Sequence, residues 1–111
     1  MSLLEVILKA IENKQGHDVQ VIDFKGSHSM MDGFIITDAP SNRQMWAIIE
    51  HIKEQVTVAG YPISAIEGSD QSKWVLIDCF EYVVHVFETS ERSVYKLEKL
   101  WADYLKVPTS L

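Results

Sequence analysis

Residues 73–88 read KWVLIDCFEYVVHVFE. Two apolar, β-branched runs, Lys73 to Cys79 and Tyr82 to Glu88, flank Phe80-Glu81. Branched side chains pack well on a pleated surface, so both runs read as strands. The two-residue spacer predicts an antiparallel hairpin, although Phe-Glu lacks the residues that tight hairpin turns prefer. In that register Asp78 opposes Val83 and Leu76 opposes His85. Asp78 and His85 then lie diagonally on one sheet face, within reach of each other. Cys79 points to the other face.

The rest of the chain alternates helix and strand around this hairpin. Leu4, Ile7, Leu8 and Ile11 recur at helical spacing, with Glu5, Lys9 and Glu12 on the other side, which predicts a first helix ending near Gly16. Val19, Val21 and Phe24 mark a strand from Asp18 to Phe24, and Gly26-Ser27-His28-Ser29 reads as a turn. Phe34 to Thr37 is a continuous apolar run, the pattern of a strand buried on both faces. Pro40 ends it, and Ser41 with Gln44 is a capping-box signature for a second helix. That helix carries Met45, Ile48, Ile49, Ile52 and Val56 inward, and Gly60-Tyr61-Pro62 stops it. Ile63 to Ile66 forms a brief strand before Glu67-Gly68. A last helix starts near Ser90, carries Val94, Leu97, Trp101 and Leu105, and closes at Pro108. The order αββαβββα predicts an α/β fold, one domain with a mixed five-stranded β-sheet flanked by α-helices. The domain spans residues 1–105, and residues 106–111 form a short tail.

Composition narrows the function classes. The chain has 111 residues, of which 47% are hydrophobic and 23% charged, as in an ordinary globular domain. Cys79 is the only cysteine, which excludes a disulfide scaffold and fits a reducing cytosol. Lysine and arginine total 10 against 16 acidic residues, a formal charge of −6. Nucleic-acid binders depend on clustered basic side chains that displace counterions, and the chain has no basic run. A basic protein is the better electrostatic partner, and direct nucleic-acid binding is not expected. The first apolar stretch, Leu3 to Ile11, is interrupted by Glu5 and Lys9 and has no cleavage pattern. No segment reaches the ~18 apolar residues that cross a bilayer. A cytoplasmic location follows as the expectation.

Chemistry finds little support. An Asp that orients a His is half of a nucleophile-activating relay, but no G-x-S-x-G elbow supplies the other half. His85 reads better as a histidine satisfied within its strand. His17, His28, His51 and His85 stand in four different elements without metal-ligand spacing, so no metal site is expected. Gly26-Ser27 followed by Asp32 is similar to the start of a nucleotidyltransferase motif. Magnesium-dependent transfer needs two or three neighbouring carboxylates, and Gly33-Phe34 follow Asp32 instead. A polar turn entering a buried strand is the preferred reading there, and no cofactor is expected.

Several segments taken together resemble the ribosomal silencing factor family, also called the Iojap-like family. They are Ser29, Met31-Asp32 and Phe34-Ile35-Ile36; then Ser41-Asn42-Arg43-Gln44; then Glu67-Gly68 leading to Lys73-Trp74-Val75-Leu76-Ile77-Asp78; then Val83-Val84-His85-Val86-Phe87, Arg92, Tyr95 and Leu97-Glu98-Lys99-Leu100-Trp101. The likeness runs from about Leu3 to Trp101 and is specific in combination. It implies a nucleotidyltransferase-like fold without the catalytic carboxylates, and a protein that is not an enzyme. It implies binding to the large ribosomal subunit through its protein number fourteen, at the intersubunit face. Blocking the small subunit there would repress translation when nutrients are scarce. Organellar relatives act in large-subunit assembly, and free members are described as homodimers. Two departures from the family pattern stand out: Ala39 replaces a frequent Gly, and Phe80-Glu81 replaces a usual Gly-Asp. Ala39 is expected to make its loop less permissive, since alanine tolerates positive φ poorly. Phe80-Glu81 is expected either to change the hairpin loop and its register, and with them the Asp78–His85 geometry, or to make Phe80 an exposed apolar anchor near the interface.

With docking as the function, the expected partner contacts are Trp74, Val75, Asp78, Tyr95 and Trp101, with Arg43 and Arg92 beside them. Tryptophan and tyrosine are enriched at interface hot spots.

Overall fold

The structure, a computed structural model, describes residues 1–23 and 32–91. The expected turn at 26–29, the end of the first strand at Phe24, the last helix beyond Glu91 with Arg92, Tyr95 and Trp101, and the tail at 106–111 lie outside the described residues.

The elements run α1 (Leu3–Asn13), β1 (His17–Asp23), β2 (Gly33–Ala39), α2 (Asn42–Val58), β3 (Ala65–Glu67), β4 (Trp74–Asp78) and β5 (Tyr82–Glu88). Residues 89–91 are helical. The five strands form one sheet in the order β1-β2-β5-β4-β3. β2 and β5 run parallel, and every other pair is antiparallel. The sheet is therefore mixed, as the sequence predicts.

Local chemistry sets the helix ends. At the start of α1, Ser2 Oγ accepts from the amide of Glu5 while Glu5 Oε1 accepts from the amide of Ser2, a complete capping box. Its end is a Schellman motif: the amide of Gly16 donates to the Ile11 carbonyl and that of Gln15 to the Glu12 carbonyl. The left-handed residue is Gln15, at φ 59°, so the helix stops three residues before Gly16. The expected box on α2 forms only in part. Ser41 Oγ accepts from the amide of Gln44, but the Gln44 side chain turns away and donates to the carbonyls of Lys14 and Gln15. It thereby ties the start of α2 to the end of α1. A second Schellman motif closes α2, with Gly60 at φ 89°.

Both helices pack on one face of the sheet. Ile7, Ile11, Ile48, Ile49, Ile52 and Val56 meet Ile35, Val75, Ile77, Val84 and Val86 there, all fully buried. Each such side chain contributes about 1.5–3 kcal/mol relative to exposure. The opposite face holds a smaller cluster: Ile22, Ile36 and Phe87, with Phe34 and Trp74 against it. β2 is thus buried on both faces, as its unbroken apolar run predicts.

Three expectations change. β3 is displaced to Ala65–Glu67 from the expected Ile63–Ile66: its pairing with β4 runs from Ala65 opposite Asp78 to Glu67 opposite Leu76, and only the Ser64 amide reaches β4 ahead of it. Ala39 carries no positive φ; it is the last residue of β2 and fully buried, so the expected strain does not arise there. Val75 leaves the contact set, because it faces the helices and is fully buried. Successive strand residues alternate faces, so Val75 cannot share a surface with Trp74 and Asp78.

Candidate docking face

The hairpin register is the expected one: Trp74 opposes Phe87, Leu76 opposes His85, and Asp78 opposes Val83. Trp74, Leu76 and Asp78 therefore form a row along β4 on the face opposite the helices. All three are half-buried. Ala65 and Glu67 of β3 flank the row and are exposed. The β1–β2–β5 side of the same face is closed, since Ile22, Ile36 and Phe87 are fully buried.

His85 lies beside this row, on β5 opposite Leu76. It is only 5% exposed. The indole N–H of Trp74 donates to its Nδ1 at 3.2 Å, and Phe34 meets its ring edge-on at a centroid distance of 4.4 Å. Trp74 also stacks on Phe87 at 5.0 Å. Burial pushes the imidazole pKa down to about 4, so the ring is neutral near pH 7. Its Nε2 has no hydrogen-bond partner among the described residues.

Asp78 does not complete a relay with His85. Its Oδ1 accepts from the amide of Phe80 at 2.9 Å, in the turn that follows β4. Trp74 also occupies Nδ1, the lone pair that would have to accept a nucleophile's proton in such a relay. The lone thiol lies on the helical side: Cys79 is buried, and burial together with neighbouring Asp78 pushes its pKa up to about 11. A thiol held protonated there is a poor nucleophile. Among the described residues, no group of three or more His, Cys, Asp or Glu side chains could hold a metal ion. None of the described helices is long and apolar enough to cross a membrane.

Charge divides between the two layers. On the helical layer, residues 1–16 and 41–59, Glu5, Glu12, Glu50 and Glu54 balance Lys9, Lys14, Arg43 and Lys53. The described sheet, its loops and the helical residues 89–91, that is residues 17–23, 32–40 and 60–91, carry ten carboxylates against one amine, Lys73. Two surface hollows among the described residues, of about 590 and 320 Å³, lie on the charge-balanced helical layer.

Of the expected contacts, Trp74 and Asp78 are brought together on β4. Arg43 stands exposed in the first turn of α2, on the helical layer. Sequence reasoning missed the bond from Trp74 to His85. The signal was present, because the register that sets Asp78 diagonal to His85 sets Trp74 diagonal to it on the other side.

Known proteins resemble this chain over nearly its whole length. Residues 1–110 match the family described as "Ribosomal silencing factor during starvation". The ribosomal silencing factor RsfS of Bacillus subtilis is 39% identical over 92% of this chain and 86% of its own length. A crystal structure of a Bacillus halodurans protein superposes with a TM-score of 0.80 at 39% identity, covering 89% of this chain and 92% of that one. A more distant mouse protein, named mitochondrial assembly of ribosomal large subunit protein 1, is 25% identical over 88% of this chain and 44% of its own length. With this order of elements, this sheet and these similarities, the chain belongs to the ribosomal silencing factor family.

Proposed function

We propose that this chain docks through the β4 row and its acidic surroundings on a basic protein of the large ribosomal subunit. The ribosomal protein numbered fourteen is the one that the family resemblance implies. Bound there, at the intersubunit face, the domain would keep the small subunit away and lower translation under nutrient limitation. The mechanism needs only shape and occupancy. A body with a radius of gyration of 13.1 Å is thick enough to hold two surfaces apart. It acts without a nucleotide, in the cytoplasm where the subunits meet.

The carrying observation is the division of charge. A half-buried aromatic and apolar row set among carboxylates fits a basic protein surface with an apolar centre. The balanced helical layer offers no such field.

Co-sedimentation with salt-washed large subunits tests this reading. Binding is expected at low ionic strength and should weaken as salt rises. The pair Glu67→Lys and Glu81→Lys should lower affinity about tenfold, since unfavourable charge at a rim slows encounter. The pair Glu12→Lys and Glu50→Lys, with the same change in net charge on the helical layer, should bind like wild type. Equal losses from both pairs would mean that only total charge matters. Saturating protein should also slow subunit joining.

A second reading is large-subunit assembly from the same surface, and the name of the mouse relative favours it. Ribosome profiles of a deletion strain separate the two. A silencing role predicts a change in starved cells, whereas an assembly role predicts accumulated precursors in rich growth.

A further inference from the structure

The β4–β5 hairpin turns through Cys79, Phe80 and Glu81. The Glu81 amide donates to the Cys79 carbonyl at 2.8 Å, and the Cys79 amide donates to the Tyr82 carbonyl at 2.9 Å. Phe80, at φ 69°, is the centre of a γ-turn of the rare left-handed kind. The Cβ of an L-residue crowds its own backbone in that region, and only glycine enters it freely. The turn is clamped on both sides. Asp78 Oδ1 holds the Phe80 amide, while the Glu81 carbonyl accepts from the amides of Asp32 and Gly33.

Folding gains little from the side chain held there. The Phe80 ring is 54% exposed and belongs to neither core cluster. A glycine would follow the same path with less strain, so the fold itself does not call for the ring. Phe80 stands at the tip of the same hairpin, two residues beyond Asp78, where the β4 row ends. Carboxylate residues are its neighbours. Asp78 and Glu81 are in the hairpin, and the backbone of Asp32 is hydrogen-bonded alongside, its amide donating to the Glu81 carbonyl. The Tyr82 phenol senses the same field, its pKa raised first by burial and then by Asp32, Asp23 and Glu81.

We propose that Phe80 is an anchor whose ring inserts into an apolar pocket of a basic protein, with lysines or arginines at the pocket rim meeting Glu81, Asp78 and Asp32. The acidic collar selects a protein over RNA, because phosphates would be repelled. This rests on the docking reading above and adds the residue that enters the partner. An exposed aromatic ringed by charge matches the anatomy of an interface hot spot, with an apolar centre and a polar rim.

The test uses the full-length chain and salt-washed large subunits, with thermal melts and binding curves for wild type, Phe80→Gly and Phe80→Tyr. Phe80→Gly should melt at or above the wild-type temperature yet bind about thirtyfold more weakly, the loss expected from truncating a hot-spot aromatic. Phe80→Tyr should bind like wild type. A residue serving the fold alone would not lower affinity while its removal leaves stability intact. Equal binding by wild type and Phe80→Gly would overturn the anchor and leave the docking reading standing. No binding by wild type would overturn both.

Discussion

The indole N–H of Trp74 meets Nδ1 of His85 at 3.2 Å, and this bond fixes the protonation of a buried imidazole. Indole can only donate, so Nδ1 must present its lone pair and the ring proton sits on Nε2. A second proton would break the bond and place a charge among Phe34, Trp74 and Phe87.

Stability should therefore depend on pH through His85. Its pKa is about 4 in the folded chain and near 6.5 when unfolded. Below 6.5 the unfolded chain binds the proton first, so the full contribution is present above that pH and is lost as pH falls through 4. Two and a half pKa units correspond to about 3 kcal/mol. Urea midpoints at pH 7 and pH 4, compared between wild type and His85→Gln, isolate this part from the carboxylates. Parallel losses in the two proteins would show that His85 is not the titrating group.

Trp74→Phe removes the donor but keeps an aromatic ring against Phe87. It should destabilise the domain by about 1 kcal/mol, the usual worth of one hydrogen bond. Chemical denaturation at pH 7 reads this loss. The double variant with His85→Phe should lose less than the sum of the two single changes, because both remove the same bond. Strict additivity would mean that the bond contributes nothing.

Cys79 should resist modification. With the thiol raised to about 11, little thiolate exists at pH 8, and the sulfur is also buried. Reaction with a water-soluble disulfide reagent should be about a hundredfold slower or more than for a free thiol, and should become fast in denaturant. Rapid modification of the folded chain would contradict the packing of the β4–β5 end.

Much of this fold was legible because its elements are strongly periodic. The stripe Met45, Ile48, Ile49, Ile52 and Val56 becomes the buried side of α2 without exception. The hairpin register also follows from sequence, since one slipped residue would turn Val84 and Val86 away from the core. Side-chain commitments were harder to read. Gln44 had a local partner in Ser41 and chose the end of α1, which sequence cannot bring near. Asp78 was set towards His85 by spacing, but the nearer Phe80 amide captured it. Val75 stands next to Trp74 in sequence, while strand alternation puts the two on opposite faces. The division of charge between layers is invisible in a net value of −6 and emerges only once the helices occupy one face.

Gly33 offers a sharp test of the sheet at the start of β2. It pairs with Asp23 of β1 and Tyr82 of β5, and its amide donates to the Glu81 carbonyl. A Cβ there would run into the carbonyl oxygen of Ile22, a backbone atom that cannot swing aside as a side chain would. Gly33→Ala must therefore push β1 away from β2, at a cost of about 3 kcal/mol, near the upper range for overpacking. Gly60→Ala is the comparison. Nothing lies within 4 Å of a Cβ at Gly60, and only its φ of 89° opposes the change, so about 1 kcal/mol is expected. Denaturation midpoints should fall further for Gly33→Ala than for Gly60→Ala. Hydrogen exchange should locate the first loss in the β1–β2 ladder and the second at the end of α2. The reverse order of stability would show that β1 yields freely and does not constrain the start of β2.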